Sequence, residues 1–150
     1  MKLKIKLVDE SMPLPEYHTS GSVAFDLYSR VDVEVIPGTP TVIPSNLIVE
    51  VPKGHFLLLA ARSSMAKKFG LMLANGIGVI DQDYCGEADE IGVSVLNFTK
   101  SVVSIKKGER IAQAILVKIS IPSAIVKKKA IKKTSRGGWG STGHKIRKKV

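Results

Sequence analysis

Apolar and polar residues along this chain alternate or cluster in short β-branched runs, and helical spacing is nearly absent. The first seven residues, Met1-Lys2-Leu3-Lys4-Ile5-Lys6-Leu7, alternate charged with apolar and predict a half-buried strand. Residues 31–36 form a second run, closed by Pro37-Gly38. Residues 41–51 form a third, broken at Pro44-Ser45-Asn46 and closed by Pro52-Lys53-Gly54. Residues 56–61 are apolar throughout, 91–98 read as a strand, and 111–121 end at Pro122. Short runs separated by turn residues predict an all-β barrel or sandwich. One short helix is expected near residue 64. Ser63 or Ser64 can cap it, Met-Ala-Lys-Lys-Phe follows, and Gly70 stands where a C-terminal cap glycine belongs.

A chain of 150 residues makes one domain with enough buried surface for a stable core. The pattern divides it into a β domain over 1–121 and an extended, flexible basic C-terminal arm over 122–150. The net charge of +10 sharpens that division. All thirteen acidic residues precede residue 127 and are balanced there by thirteen Lys and Arg; the ten remaining basic residues lie in 127–150. Such an arm suits contact with polyphosphate, and the charge alone is equally met by a plain solvated end. A single cysteine, Cys85, forbids an internal disulfide and fits a reducing, cytoplasmic setting. No apolar run approaches the roughly 20 residues of a membrane span, and the alternating N-terminus lacks the continuous apolar stretch of a signal peptide.

The candidate chemistry falls in blocks. Arg62-Ser63-Ser64 precedes the helix, where unpaired amides, hydroxyls and a guanidinium favour an anion; alone, it is also an ordinary capped helix. At the start of 78–86, Gly78, with Gly76 just before it, allows close backbone approach, and Val79-Ile80 reads as a buried strand end. Asp81 and Asp83 alternate as if on a strand and so share a face. A carboxylate there can orient and deprotonate water, with Tyr84 as an aromatic plate beside it; alone, the block is equally a hairpin turn. Residues 107–113 are a turn feeding a strand. Residues 136–143 are Gly-rich and polar, able to wrap phosphate, and carry the only tryptophan, Trp139, placed to stack.

Five blocks in this order resemble the five motifs of the trimeric deoxyuridine triphosphatase (dUTPase) family, over about residues 20 to 143. They are Ala24-Phe25-Asp26-Leu27, Arg62 to Gly70, Gly78 to Gly86, Lys107 to Gln113, and Arg136 to Gly143. The resemblance implies a jelly-roll-like β fold, a homotrimer with sites at subunit interfaces, and hydrolysis of dUTP to dUMP and pyrophosphate. It implies Asp81 as general base and contact to the 3′-hydroxyl. Tyr84 would pack on the deoxyribose, the backbone from Asn75 through Gly78, Val79 and Ile80 would read uracil, and Gln113 would hold the α-phosphate and water. Arg62, Ser63 and Ser64 would bind phosphates. Asp26 would hold Mg²⁺ through water. In the arm, Trp139 would close over the base, Gly140, Ser141 and Thr142 would take the terminal phosphates, and Arg136, with Lys133 as the alternative, the γ-phosphate.

The chain departs from the family at several points. Ser63-Ser64 replaces Ser-Gly and is shared with dCTP deaminases, Val23-Ala24 replaces Ala-Gly, and Glu109 replaces Asp. Arg136 is closer to Trp139 than usual, and 87–90 makes the third block longer and more acidic. Two rival readings follow: a dCTP deaminase or bifunctional relative, and a non-enzymatic, nucleic-acid-binding β domain built around the basic tail. The tail lacks the interleaved aromatics usual in single-strand binders.

Overall fold

The computed structural model describes residues 1–131, 133–135 and 137–138. Eleven strands and one helix follow in the order β1 (Lys4–Leu7), β2 (Phe25–Tyr28), β3 (Val33–Val35), β4 (Thr41–Pro44), β5 (Leu47–Glu50), β6 (His55–Ala60), α1 (Met65–Phe69), β7 (Leu71–Leu73), β8 (Gly78–Ile80), β9 (Gly92–Asn97), β10 (Val103–Ile105) and β11 (Arg110–Lys118). They pair into a four-stranded sheet β2-β11-β6-β8, a three-stranded sheet β4-β9-β7, and the two-stranded ribbons β1-β5 and β10-β3. All these pairings are antiparallel. Among the described residues the sheets do not close into one hydrogen-bonded barrel. The form is the sandwich that the strand pattern predicts, and it fits the jelly-roll-like fold that the family resemblance implies.

Alternation explains what faces inward. In β9, Val93, Val95 and Asn97 are buried while their neighbours are partly or fully exposed; in β6, Leu57 and Leu59 are buried. These side chains meet Leu27, Ile43, Met65, Leu71, Ile105 and Ile111 in one core. Leu57 is 0% exposed, and burying such a side chain contributes about 1.5–3 kcal/mol.

The helix is a single short turn of five residues. Ser64 occupies its N-cap but makes no side-chain cap bond. Gly70 ends it in the left-handed region (φ 65°), its N–H donating to the Ala66 carbonyl at 2.9 Å. A Cβ on Gly70 would lie 2.0 Å from Thr99 Cγ2, so both conformation and space demand glycine here.

Strand β11 stops at Lys118, earlier than the run to 121 suggests, and residues 121–131 are exposed without regular structure. Two local expectations are corrected. β8 ends at Ile80, so Asp81 and Asp83 lie in the turn beyond it and not on a strand. Val79 is 55% exposed, so Val79-Ile80 is not a buried strand end; the buried residue there is Gly78.

Candidate active site

Sheet register builds the first part of the site. Gln113 on β11 stands opposite Asp26 on β2 and opposite Ala60 on β6. Residues directly across an antiparallel pair share a face, so the first and fourth blocks meet, and Ala61-Arg62 follows immediately from the second. A register shift between Arg110 and Ala112 marks a β-bulge at Ile111. The bulge lets Ile111 and Ala112 both point inward and brings Arg110 to the same side as Gln113. The Gln113 Nε2 donates to the Ala61 carbonyl at 2.9 Å, which fixes the side-chain amide and leaves its carbonyl oxygen without a partner among the described residues.

Charge concentrates at this point. Asp26 is 7% exposed. Its Oδ1 lies 2.7 Å from Arg62 Nε, and its Oδ2 lies 3.1 Å from both Arg110 Nη1 and His18 Nε2. One carboxylate thus holds two guanidinium groups in a fixed orientation, which lowers the entropy lost when they grip an anion. The two arginines, with Lys68, Gly108 and Glu109, line an open cleft of about 390 Å³. Glu109 accepts from the Lys106 amide at 3.0 Å and faces Lys68 at 3.8 Å, so it shapes the turn. Three cations against the carboxylates of Asp26 and Glu109 leave a net positive charge, and with the guanidinium groups held in place this makes the cleft an anion cradle. Its positive charge comes from side chains; a helix of five residues adds little dipole.

A second cavity, of about 110 Å³, is lined by Leu59, Leu73, Asn75, Gly78, Val79, Ile80, Gly92, Val93 and Ser94. It lies where β8 leaves the loop from Asn75. The loop turns at Gly76, which has φ 75°. A Cβ on Gly78 would sit 2.9 Å from three atoms of the Leu59 side chain, so glycine lets β8 lie close on β6. The exposed backbone edge and small volume suit one flat, polar-edged ring.

The third part is elsewhere. β8 pairs with β6 as Leu59↔Gly78 to Leu57↔Ile80. Asp81 therefore leaves the sheet opposite the start of β6, whereas Gln113 and Arg62 lie at its end. Two strand spacings and four residues of rise put Asp81 on the order of 15 Å from Gln113 within one chain. Asp81 and Tyr84 are exposed, and the Tyr84 hydroxyl donates to the Glu90 carbonyl at 3.2 Å.

The predicted residues thus divide. Asp26, Arg62 and Gln113 are brought together, with the exposed Ser63 and Ser64 beside them. Asn75, Gly78, Val79 and Ile80 line the small cavity. Asp81 and Tyr84 stand apart from the cradle. Arg136, Trp139, Gly140, Ser141 and Thr142 lie outside the described residues; Lys133 is described and exposed. The sequence reading missed Arg110, Lys68 and His18. Arg110 sits inside the fourth block, yet only the bulge at Ile111 turns it toward Asp26, and nothing in the residue pattern announces a bulge. Among the described residues no group of three or more His, Cys, Asp or Glu could hold a metal directly. No helix among them is long and apolar enough to cross a membrane.

Comparison with known proteins is consistent with these parts. A family profile described as dUTPase matches residues 10–143. A deoxyuridine 5'-triphosphate nucleotidohydrolase of Dictyoglomus turgidum is 38% identical over 148 residues, covering 95% of this chain and 99% of its own. A mutant dUTPase of Staphylococcus bacteriophage 80alpha, solved with dUpNHpp, matches with a TM-score of 0.81 at 24% identity, covering 95% of this chain and 98% of that one. A mutant dUTPase from phage phi11 of S. aureus, whose structure details the coordination of a structural Mg(II) ion, matches with a TM-score of 0.72 at 22% identity, over 89% and 98% of the two chains. The last two likenesses concern the fold.

Proposed function

The chain belongs to the dUTPase family, and from that membership we propose that it hydrolyses dUTP to dUMP and pyrophosphate. The observation that carries the proposal is the register of β2, β11 and β6, which sets Asp26, Gln113 and Arg62 around one anion cradle. The triphosphate lies in that cradle, against Arg62, Lys68 and Arg110 and the hydroxyls of Ser63 and Ser64. Water attacks the α-phosphorus in line. The new bond forms from the water oxygen, the bond to the β-phosphate oxygen breaks, and pyrophosphate leaves. Asp81 accepts the proton from water. Gln113, with its amide fixed on Ala61, accepts a hydrogen bond from the water and so orients it. Tyr84 packs on the deoxyribose, and the backbone from Asn75 to Ile80 takes the base in the small cavity.

Both oxygens of Asp26 are already engaged by cationic or imidazole nitrogens, so this carboxylate does not suit direct ligation of a cation. It suits contact through a water, with Mg²⁺ held chiefly by the triphosphate itself. When bound, the ion neutralises charge on the phosphates.

The separation of Asp81 from Gln113 supports a site shared between chains. In a homotrimer, one chain would supply the cradle, a second the turn with Asp81 and Tyr84, and a third the arm with Arg136 and Trp139. The arm's closure excludes water from the phosphates. Two measurements test this function. Pyrophosphate release is compared for dUTP, dTTP, dCTP and UTP, with dUTP expected to be turned over fastest; ammonia release from dCTP would point to the deaminase instead. Light scattering is expected to give three times 16.2 kDa; a fully active monomer would contradict the shared site.

A further inference from the structure

The acidic segment at residues 87–90 plays no part in the hydrolysis just described, yet it is one of the most heavily tied segments of the surface. Glu90 is central. Its Oε1 accepts from Arg30 Nε and its Oε2 from Arg30 Nη2, each at 2.8 Å, and its Oε1 also accepts the Asn46 amide at 2.8 Å. The Glu90 carboxylate is 17% exposed and the Arg30 side chain 29%, so solvent screens this bidentate pair only weakly. The next residue, Ile91, is 0% exposed; its N–H donates to the Leu47 carbonyl and its carbonyl accepts from Ser45. Residues 90 and 91 are therefore fixed to the start of β5 from both sides.

The segment before them is self-closing. The Asp89 carboxylate accepts the Gly86 amide at 2.7 Å, and the Asp89 amide donates back to the Gly86 carbonyl at 3.1 Å. Glu87 pairs with Lys6 on β1. The Tyr84 ring, 41% exposed, has one polar anchor among the described residues, the main-chain carbonyl of Glu90. The chain of contacts runs from Arg30, on the loop after β2, through the Glu90 carboxylate and main chain, to the tyrosine that faces the sugar.

Resting on the reading of Tyr84 as the residue that packs on deoxyribose, we propose that Glu90 and Arg30 are positioning residues that hold Tyr84 at a fixed height over the sugar and so sharpen the choice of deoxyribonucleotide over ribonucleotide. An aromatic plate rejects a 2′-hydroxyl only if it cannot retreat. A tyrosine on a loose turn yields to the extra oxygen; one bonded to the main chain of a residue whose own carboxylate is pinned by three hydrogen bonds does not.

The experiment measures kcat/KM for dUTP and for UTP in the full-length protein and in Arg30→Met, Glu90→Gln, Tyr84→Phe and Tyr84→Ala. Loosening the brace is expected to lower the dUTP-to-UTP ratio tenfold or more in Arg30→Met and Glu90→Gln, with partial recovery in Arg30→Lys. A purely structural role would lower the thermal midpoint and leave the ratio where it was. Ratios within twofold of the parent in folded Arg30→Met and Glu90→Gln, alongside a collapsed ratio in Tyr84→Ala, would overturn the brace and leave the reading of Tyr84 standing. An unchanged ratio in Tyr84→Ala would overturn both. Should Arg30→Met and Glu90→Gln fail to fold, Tyr84→Phe decides, because it deletes only the bond to the Glu90 carbonyl at an exposed position. A lowered ratio supports the brace; an unchanged one refutes it.

Discussion

The anion cradle and the Asp81–Tyr84 turn are built on opposite plans. The cradle sits where β2, β11 and the end of β6 meet in the four-stranded sheet, and their register is fixed by the core beneath. Its charges are already paired: Asp26 holds Arg62 and Arg110 before any ligand arrives. The turn lies beyond the end of an edge strand, is exposed, and is held from outside by Glu90 and Arg30. One region is preorganised by its sheet and the other by a brace. Neither contains a complete catalytic set, since the phosphate grip is in one and the base in the other. On the function proposed above, a single chain carries two half-sites, and activity would depend on bringing together halves from different copies.

The largest effect expected from breaking either half is on the turn. Asp81→Asn keeps shape and hydrogen bonding while removing the base, so kcat should fall roughly 10²–10⁴-fold with binding retained. Single-turnover kinetics with dUTP would check it, and a variant keeping more than a tenth of the parent rate would remove Asp81 from that role.

In the cradle, Asp26→Asn should act differently. Its carboxylate is 9% exposed between two guanidinium groups. Losing the charge-assisted bonds should cost about 1.5–3 kcal/mol of folding stability as well as activity. Urea unfolding would show this, whereas Asp81→Asn, at an exposed position, should unfold as the parent does.

Gly78→Ala probes the sheet contact that shapes the small cavity. The added methyl collides with Leu59, and overpacking of this kind costs about 1–3 kcal/mol. KM for dUTP should rise more than kcat falls, because the cavity is proposed to take the uracil ring, away from the reacting phosphorus.

The smallest expected effect is on pH dependence. Burial raises the Glu90 carboxyl, but the Arg30 bonds and the Asn46 amide outweigh it, so its pKa in the folded chain lies below the ordinary 4.5. A depressed carboxylate stabilises the fold above its unfolded value and loses that contribution as pH falls through the folded one. The Glu90→Gln protein should therefore lose less stability than the parent between about pH 6 and pH 3. Thermal midpoints across that range would show it.

Much of the fold was legible in the sequence where runs were long enough to show a period. β6, β9 and β11, with six to nine residues each, emerge close to their predicted places. β2, β7, β8 and β10 have three or four residues; at that length alternation has no statistics, and only pairing with a neighbour defines the strand. The same limit explains Asp81 and Asp83. Their spacing continues the alternation of β8, but the pairing of β8 with β6 stops at Leu57↔Ile80, so no neighbour extends the strand to Asp81. Asp26 shows a different limit. The family resemblance gave it Mg²⁺ through water, and only the folded sheet reveals that two arginines claim its two oxygens.

Each site is proposed to take its cradle from one chain and its general base from another. The most direct test mixes two nearly inactive proteins, Asp81→Asn and Arg62→Ala, unfolded together and refolded at equal amounts. Random assembly leaves about one quarter of the sites with an intact cradle facing an intact turn, so roughly a quarter of parental kcat should return. Activity no greater than the average of the two separately refolded variants, in assemblies shown by tags to contain both chains, would contradict the claim.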